Sequence, residues 1–591
     1  MQKQRAHIGH HGPELLDDGT TRFRLWAPDA QNVSLIVVGA QTLPMTATEE
    51  GWYSIDAPYG AGTLYRFLID DELHVPDPAS RAQAGDVHAP SLVVDTHNNY
   101  LWRNSSWLGR PWHETVLYET HVGLYGGFAA MEQHLAGLAE LGVTAIELMP
   151  IAEFPGDRNW GYDGVLPYAP EAAYGSPEEL KHLIDTAHGL GLMVFLDVVY
   201  NHFGPDGNYL GRYARHFFRH DQQTPWGDGI DFRRREVRDF FIDNALMWLM
   251  DYRFDGLRFD AVHAIPDRSF LTELAERVHA TVEPGRHVHL VLENEDNRSS
   301  LLTQGFTAQW NDDGHNVLHA LLTDESQGYY ADYHQDATAK LARFLGEGFI
   351  YQGQNNRHGE ARGEPSAHLS PTSFVLFLQN HDQTGNRAFG DRLVTLADAD
   401  ALRAATAVLL LSPMVPLLFM GEEWGSRQPF LFFTSHHGEL ADAVREGRRN
   451  EFAEFSEFAD EATRERIPDP NAVSTFEQSR PDFGAQTQPG HAEWHALYRQ
   501  LLSIRHTEIV PRLPGSAFLG CSVLGEAAVL ARWQLGDGSL LRLELNLGAQ
   551  AAPLPASSTA AQLLFASRES DANTPDQLPP RMAKLYLEKA K

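Results

Sequence analysis

From about Val116 onward the chain alternates short apolar runs with longer stretches of helical character, and this alternation limits the possible folds more than any other feature. Eight runs read as strands: VLYETHV (116–122), AIELMPI (145–151), MVFLDVVY (193–200), DGLRFD (255–260), HVHLVLE (287–293), FTAQWN (306–311), SFVLFLQ (373–379) and VPLLFMG (415–421). Strands joined through helices pair in parallel, because a parallel connection needs a crossover long enough to hold a helix. Eight such units predict an α/β domain of the (β/α)₈ barrel type over residues 101–510.

The flanks read differently. The first hundred residues carry TRFRLWAP, NVSLIVVG, GWYSIDAP and TLYRFLID, short strands between turn clusters, and predict an immunoglobulin-like β-sandwich over 1–100. After a last helical stretch, HAEWHALYRQLLSIRHTEI (491–509), the runs SVLGEAAVLARWQL and SLLRLELNLG predict a C-terminal antiparallel β-sandwich over 511–591. The most apolar segment, AVLLLSPMVPLLFMG (407–421), is too short to span a bilayer of about 30 Å and is broken by prolines, so it is read as helix, turn and buried strand.

Charge narrows the partners. A formal net charge of −32 opposes phosphate backbones and anionic lipid surfaces, so no nucleic acid and no membrane is expected as partner. Cys521 is the only cysteine, which excludes an intrachain disulfide and a cysteine metal cluster and fits a reducing compartment. With no apolar leader in MQKQRAHIGHHGPELLDDG, a cytoplasmic location is expected.

Within the barrel units the ionisable residues gather at the C-terminal ends of the strands: Asp197, Asn201 and His202; Arg258, Asp260 and His263; Glu293; and Asn380, His381 and Asp382. In such barrels that face carries the active site, so these residues are expected to converge. Cleaving a glycosidic bond with retention takes two carboxyl groups, one to attack the anomeric carbon and one to protonate the leaving oxygen. Asp260 and Glu293 end consecutive strands. Arg258 lies two residues before Asp260 on the same strand face, where its charge keeps that carboxylate ionised. The acid must instead retain its proton, which burial and a neighbouring carboxylate favour. Spacing alone does not separate Glu293 from Glu295 for this part, because period-two alternation puts both on one face if the strand continues.

Four segments, DVVYNH (197–202), GLRFDAVHA (256–264), LEN (292–294) and QNHDQ (379–383), resemble the signature regions of the α-amylase family. The resemblance implies that Asp260 is the nucleophile, Glu293 the acid/base, and Asp382 the carboxylate that binds ring hydroxyls and stabilises the distorted transition state. It further implies that Arg258 supports Asp260 and that His202 and His381 hydrogen-bond the sugar on the non-reducing side of the cut. Tyr162 would be the aromatic platform under that sugar, while Asp197 and Asn201 would organise the site.

Finer segments, FPGDRNWGYDGV (154–165), GLRFDAVHAI (256–265), AQWNDD (308–313), LLFMGEEWG (417–425) and IPDP (467–470), resemble the trehalohydrolase branch of that family. That branch implies a maltooligosyltrehalose or related α-glucan substrate and a maltooligosyltrehalose synthase as pathway partner. It needs no organic cofactor, and no catalytic metal is expected, since the sequence holds no acidic loop of the calcium-binding type. Glu423 and Trp424, after the eighth strand, are candidates for the cleft lining. One departure stands in DDGHN (312–316), where the resemblance implies an aromatic in place of Gly314. Two other readings stay open: a glycogen branching or debranching enzyme, which shares the three carboxylates, and a non-catalytic glucan-binding barrel, which would be expected to lose one of them.

Overall fold

The computed structural model describes residues 9–95, 100–224, 227–454, 458, 460–555, 561–568 and 576–589. Eight parallel strands close into a barrel in chain order. They are β1 (Leu117–Thr120), β2 (Ala145–Leu148), β3 (Met193–Val198), β4 (Gly256–Phe259), β5 (His289–Leu292), β6 (Ala308–Trp310), β7 (Phe374–Phe377) and β8 (Val415–Phe419). Each falls inside one of the eight runs read from the sequence. The segment 407–421 is, as read, the end of a helix, a turn and β8. Among the described residues no helix is long and apolar enough to cross a membrane.

Alternation along the strands divides the barrel interior into two levels. Leu117, Ala145, Met193, Phe195, Val291, Val375, Val415 and Leu417 pack its lower part, and the Trp112 indole closes the bottom against Phe195 and His289 while donating to Thr372 O (2.7 Å). Gly256 is required here: a Cβ at this position would lie 2.1 Å from the Phe195 ring and 2.7 Å from His289 O. One step higher the inward positions become charged, at Glu119, Glu147, Asp197 and Arg258, all of them buried. The apolar base thus supports a polar layer beneath the C-terminal rim.

The helices that matter for the site are α1 (Arg235–Met250), after β3; α2 (Asp312–Thr323), after β6; α3 (Ala337–Glu347); α4 (His381–Gly385), after β7; and α5 (Ala399–Leu411). The N-terminal strands form two antiparallel sheets that face one another through Phe23 and Tyr65 (4.8 Å between ring centroids). The C-terminal chain forms a five-stranded antiparallel sheet and a two-stranded one. The larger sheet packs against α3 and α5.

The segment 201–235 connects β3 to α1. It contains a helical turn, Leu210–Tyr213, and a hairpin, Phe218–Thr224 with Gly227–Ile230. Its middle serves mainly as a seat for the N-terminal sandwich: Phe217 meets Trp26, and Arg215 N and Nη2 donate to the Asp29 carboxylate (2.7 and 3.1 Å).

Candidate active site

Arg258 organises the rim. Its Nη1 donates to Asp197 Oδ2 and Asp260 Oδ1, both at 2.8 Å, and its Nη2 donates to Glu293 Oε2 at 3.0 Å. The guanidinium lies over the Trp310 ring, 4.3 Å from its centroid, so an aromatic face supports the cation on its uncharged side. Gly256, Arg258 and Asp260 alternate inward along β4, which is why the cation and the carboxylate two residues on meet.

The backbone then turns sharply. Ala261 takes φ 40° and ψ 49°, a left-handed conformation that costs a non-glycine residue about 1 kcal/mol or more. That turn points its N–H at Glu293 Oε2 (2.7 Å). Glu293 therefore has two donors from the neighbouring strand. Glu295 is 65% exposed along its side chain and lies near His263, whose Nδ1 accepts from Glu295 N (3.3 Å). The chain leaves β5 before Glu295, which therefore stands outside this cluster.

The two principal carboxyls differ in their electrostatics. Burial alone would push Asp260 up, but Arg258, His202 and the Asn201 amide outweigh it and hold the carboxyl below its usual range. Asn201 Nδ2 supplies this second donor at 2.8 Å. For Glu293 burial dominates; Asp260, Asp312 and Asp382 add repulsion, and the group stands well above the ordinary carboxylate range despite Arg258. One carboxyl is thus shifted down and its neighbour shifted up, the direction of difference that a nucleophile and an acid require.

The remaining sequence candidates sort into two groups. Tyr162 donates to Asp197 Oδ2 (2.6 Å) and its ring stacks on His381 (5.0 Å, 24°). His202 hydrogen-bonds Asn201 Oδ1 and reaches Tyr162 O through Nε2 (3.0 Å). Asn380 caps α4, accepting from Gln383 N (2.8 Å), and so sets His381 and Asp382 in its first turn. Asp382 accepts from Asn386 (2.5 Å). All of these belong to the rim. Glu423 and Trp424 do not: Glu423 accepts from the Tyr118 hydroxyl (3.0 Å) on the outer face of β1, and Trp424 is fully buried against Phe483. Gly421, with φ 87°, turns the chain outward after β8, so these two residues pack behind the wall and do not line the cleft.

Two residues that sequence reasoning missed join the site. Glu119, at the end of β1, accepts from His381 N (2.9 Å) and pairs with its Nδ1 (2.5 Å). Burial would lower the His381 pKa, but Glu119 and Asp382 raise it above the ordinary value. Asp312 heads α2; burial and repulsion from Asp382 push it up to about 7 against the pull of Arg362. Both lie at strand ends, in VLYETHV and AQWNDD, so the signal that exposed the other candidates was present for them too.

The departure at Gly314 also has its explanation. A Cβ there would lie 2.6 Å from the Phe344 ring. An aromatic side chain from α3 already fills this volume, so position 314 supplies no substrate wall. Among the described residues no group of three or more His, Cys, Asp or Glu is arranged to hold a metal ion.

A closed parallel barrel with this rim, an N-terminal sandwich and a C-terminal sheet defines a glycoside hydrolase of the α-amylase class. Family models agree: residues 9–79 match carbohydrate-binding module 48 (isoamylase N-terminal domain), 115–226 match the α-amylase catalytic domain, and 516–584 match a domain of unknown function (DUF3459). The malto-oligosyltrehalose trehalohydrolase of Deinococcus radiodurans is 43% identical over 507 residues, covering 83% of this chain and 82% of that one. That of Mycobacterium tuberculosis is 38% identical over 90% of this chain and 94% of its own. A crystal structure from Salmonella typhimurium, assigned as an α-amylase, superposes with a TM-score of 0.93 at 44% identity, covering 99% of this chain and all of that one. A glycogen branching enzyme of Nocardia farcinica stands further off, at 28% identity over 68% of this chain. The chain belongs to the malto-oligosyltrehalose trehalohydrolase family.

Proposed function

We propose that the protein hydrolyses the α-1,4 bond next to the terminal trehalose of maltooligosyltrehalose, releasing trehalose and a maltooligosaccharide, by a retaining mechanism. The observation that carries the chemistry is the single guanidinium shared by Asp260 and Glu293. Two carboxyls on neighbouring nitrogens of one Arg258 suit the short separation of a retaining pair, roughly 5 to 5.5 Å, better than the wider gap that an inverting water needs. Asp260 attacks the anomeric carbon as Glu293 protonates the departing trehalose oxygen. Glu293, now ionised, takes a proton from water, which breaks the glycosyl–Asp260 ester and restores both groups.

Asp382 would bind ring hydroxyls of the distorted sugar, with His202 and His381 hydrogen-bonding beside it over the Tyr162 ring. Arg258, Asp197 and Asn201 would fix the nucleophile. A cytoplasmic synthase that isomerises the reducing end of a maltooligosaccharide would supply the substrate, a setting that fits the acidic surface and the lone cysteine.

Selectivity tests this reading. A site built for the bent, non-reducing α,α-1,1 disaccharide leaves polar groups unpaired when a plain maltooligosaccharide binds, and such unmet hydrogen bonds cost orders of magnitude in kcat/KM. Maltotriosyltrehalose should be cut at the trehalose junction, with one new reducing end and one trehalose per event, at least about a hundredfold faster than maltopentaose is cut anywhere. Equal rates in a chromatographic assay would mark a general amylase. Transfer to α-1,6 positions with no gain in reducing ends would mark a branching enzyme.

A further inference from the structure

Glu147 lies on β2 and takes part in none of the contacts described above. It alternates with Ala145 and so faces the barrel interior, where it is 1% exposed. Neither of its carboxyl oxygens has a hydrogen-bond partner among the described residues. Glu119 of β1 stands in register beside it. Phe195 of β3 stands in register on the other side, with Asp197 the next inward position above. The charged groups that act on it are Glu119, Asp197 and, from β4, Arg258.

Two of these neighbours also have an open atom: Asp197 Oδ1 and Arg258 Nε are buried and unpartnered among the described residues. Asp197, Asp260 and Glu293 already share one guanidinium. A further unpaired carboxylate in this enclosed layer would be strongly disfavoured. Burial, with repulsion from Glu119 and Asp197, accordingly holds the Glu147 carboxyl well above the usual range. An acid that keeps its proton can donate, and Asp197 Oδ1, one inward step above on the neighbouring strand, is an acceptor with no partner among the described residues.

We infer that Glu147 is a positioning residue of the active site, whose buried carboxyl hydrogen-bonds the free oxygen of Asp197. This fixes Asp197 between Tyr162 and Arg258 and leaves Nη2 of Arg258, and a share of Nη1, to Glu293 and Asp260. The inference rests on the proposed roles of Asp260 and Glu293, but its first readout is independent of turnover.

Infrared difference spectra between the wild type and Glu147→Gln at neutral pH should show one protonated-carboxyl band lost in the variant. Glu147→Gln, which keeps a neutral donor of the same shape, should retain kcat/KM within about threefold, with its pH profile in place. Glu147→Leu, of similar bulk with no donor, should lose about tenfold or more, chiefly in kcat, with a displaced acid limb. The assignment is overturned if no acid band is lost, or if a folded Gln variant falls as far as the Leu variant. Should the Leu variant fail to fold, the band and the Gln variant decide. A different preferred substrate would leave the spectroscopic result unchanged, so failure of the proposed function and failure of this inference are distinguishable.

Discussion

The carboxyl pair at Arg258 makes opposite demands on adjacent residues, and each can be tested by removing one charge. Asp260→Asn keeps the shape and most hydrogen bonds but offers a poor nucleophile, so kcat should fall by about a thousandfold or more while the thermal midpoint stays near wild type. A variant that keeps a tenth of wild-type kcat would refute the assignment. Glu293→Gln should be comparably slow on maltooligosyltrehalose, yet added azide should partly restore turnover of a substrate with an activated leaving group, which needs little protonation. Glu295→Gln, at an exposed side chain, should stay within a few-fold of wild type.

The pH dependence follows from the same two environments. Asp260, held below the ordinary value of 3.8, must be ionised, so the acid limb of kcat/KM should lie below that value. Glu293, held well above 4.5, must be protonated, so activity should fall only as the pH rises through its raised value. On activated substrates the alkaline limb should vanish in Glu293→Gln and persist in Glu295→Gln.

At the level of elements, α2 and α3 are joined by a contact that explains why the sixth barrel unit lacks its expected aromatic. Gly314 sits in the first turn of α2 with the Phe344 ring of α3 against its Cα. Asp313 anchors the same unit, accepting from Asn297 Nδ2, Ile350 N and Tyr351 N through Oδ2 and from the Tyr333 hydroxyl through Oδ1. With the surroundings this firmly held, Gly314→Phe cannot simply displace Phe344, and overpacking should cost about 1–3 kcal/mol or more. The double variant Gly314→Phe with Phe344→Ala should recover part of that loss in a denaturation series. If the single variant is as stable as wild type, the two rings do not compete for one volume.

For the whole molecule, the seat of the N-terminal sandwich decides whether the chain unfolds as one unit. The contact is aromatic: His11 meets Phe240 edge-on (5.1 Å, 88°), Trp26 meets Phe217, and the Arg81 guanidinium lies over Tyr168 (4.5 Å). Phe217 is buried, and truncating it should cost about 3–5 kcal/mol. Phe217→Ala should therefore split the calorimetric transition or lower its midpoint while kcat changes little, since Phe217 is not part of the rim. Asp29→Ala should do far less, because its partner Arg215 is 69% exposed and a solvated ion pair contributes about 1 kcal/mol or less. Equal effects from the two variants would show that the seat is electrostatic.

The sequence by itself determined what local periodicity can carry. Eight apolar runs spaced by helical stretches imply a parallel barrel, and inward alternation along one strand puts Arg258 and Asp260 together because they are only two residues apart. The carboxylates at the strand ends, and the family segments that contain them, were legible for the same reason. The remaining features depend on distances that no local pattern encodes. His381 finds Glu119 262 residues away, Phe344 takes the place left by Gly314, and Gly421 turns Glu423 and Trp424 out behind the wall. Alternation predicts a face only while the strand lasts, so the left-handed turn at Ala261 and the chain's exit before Glu295 were settled by tertiary packing. The opposite shifts of the Asp260 and Glu293 carboxyls arise there too, since burial and the sharing of one guanidinium exist only in the closed barrel.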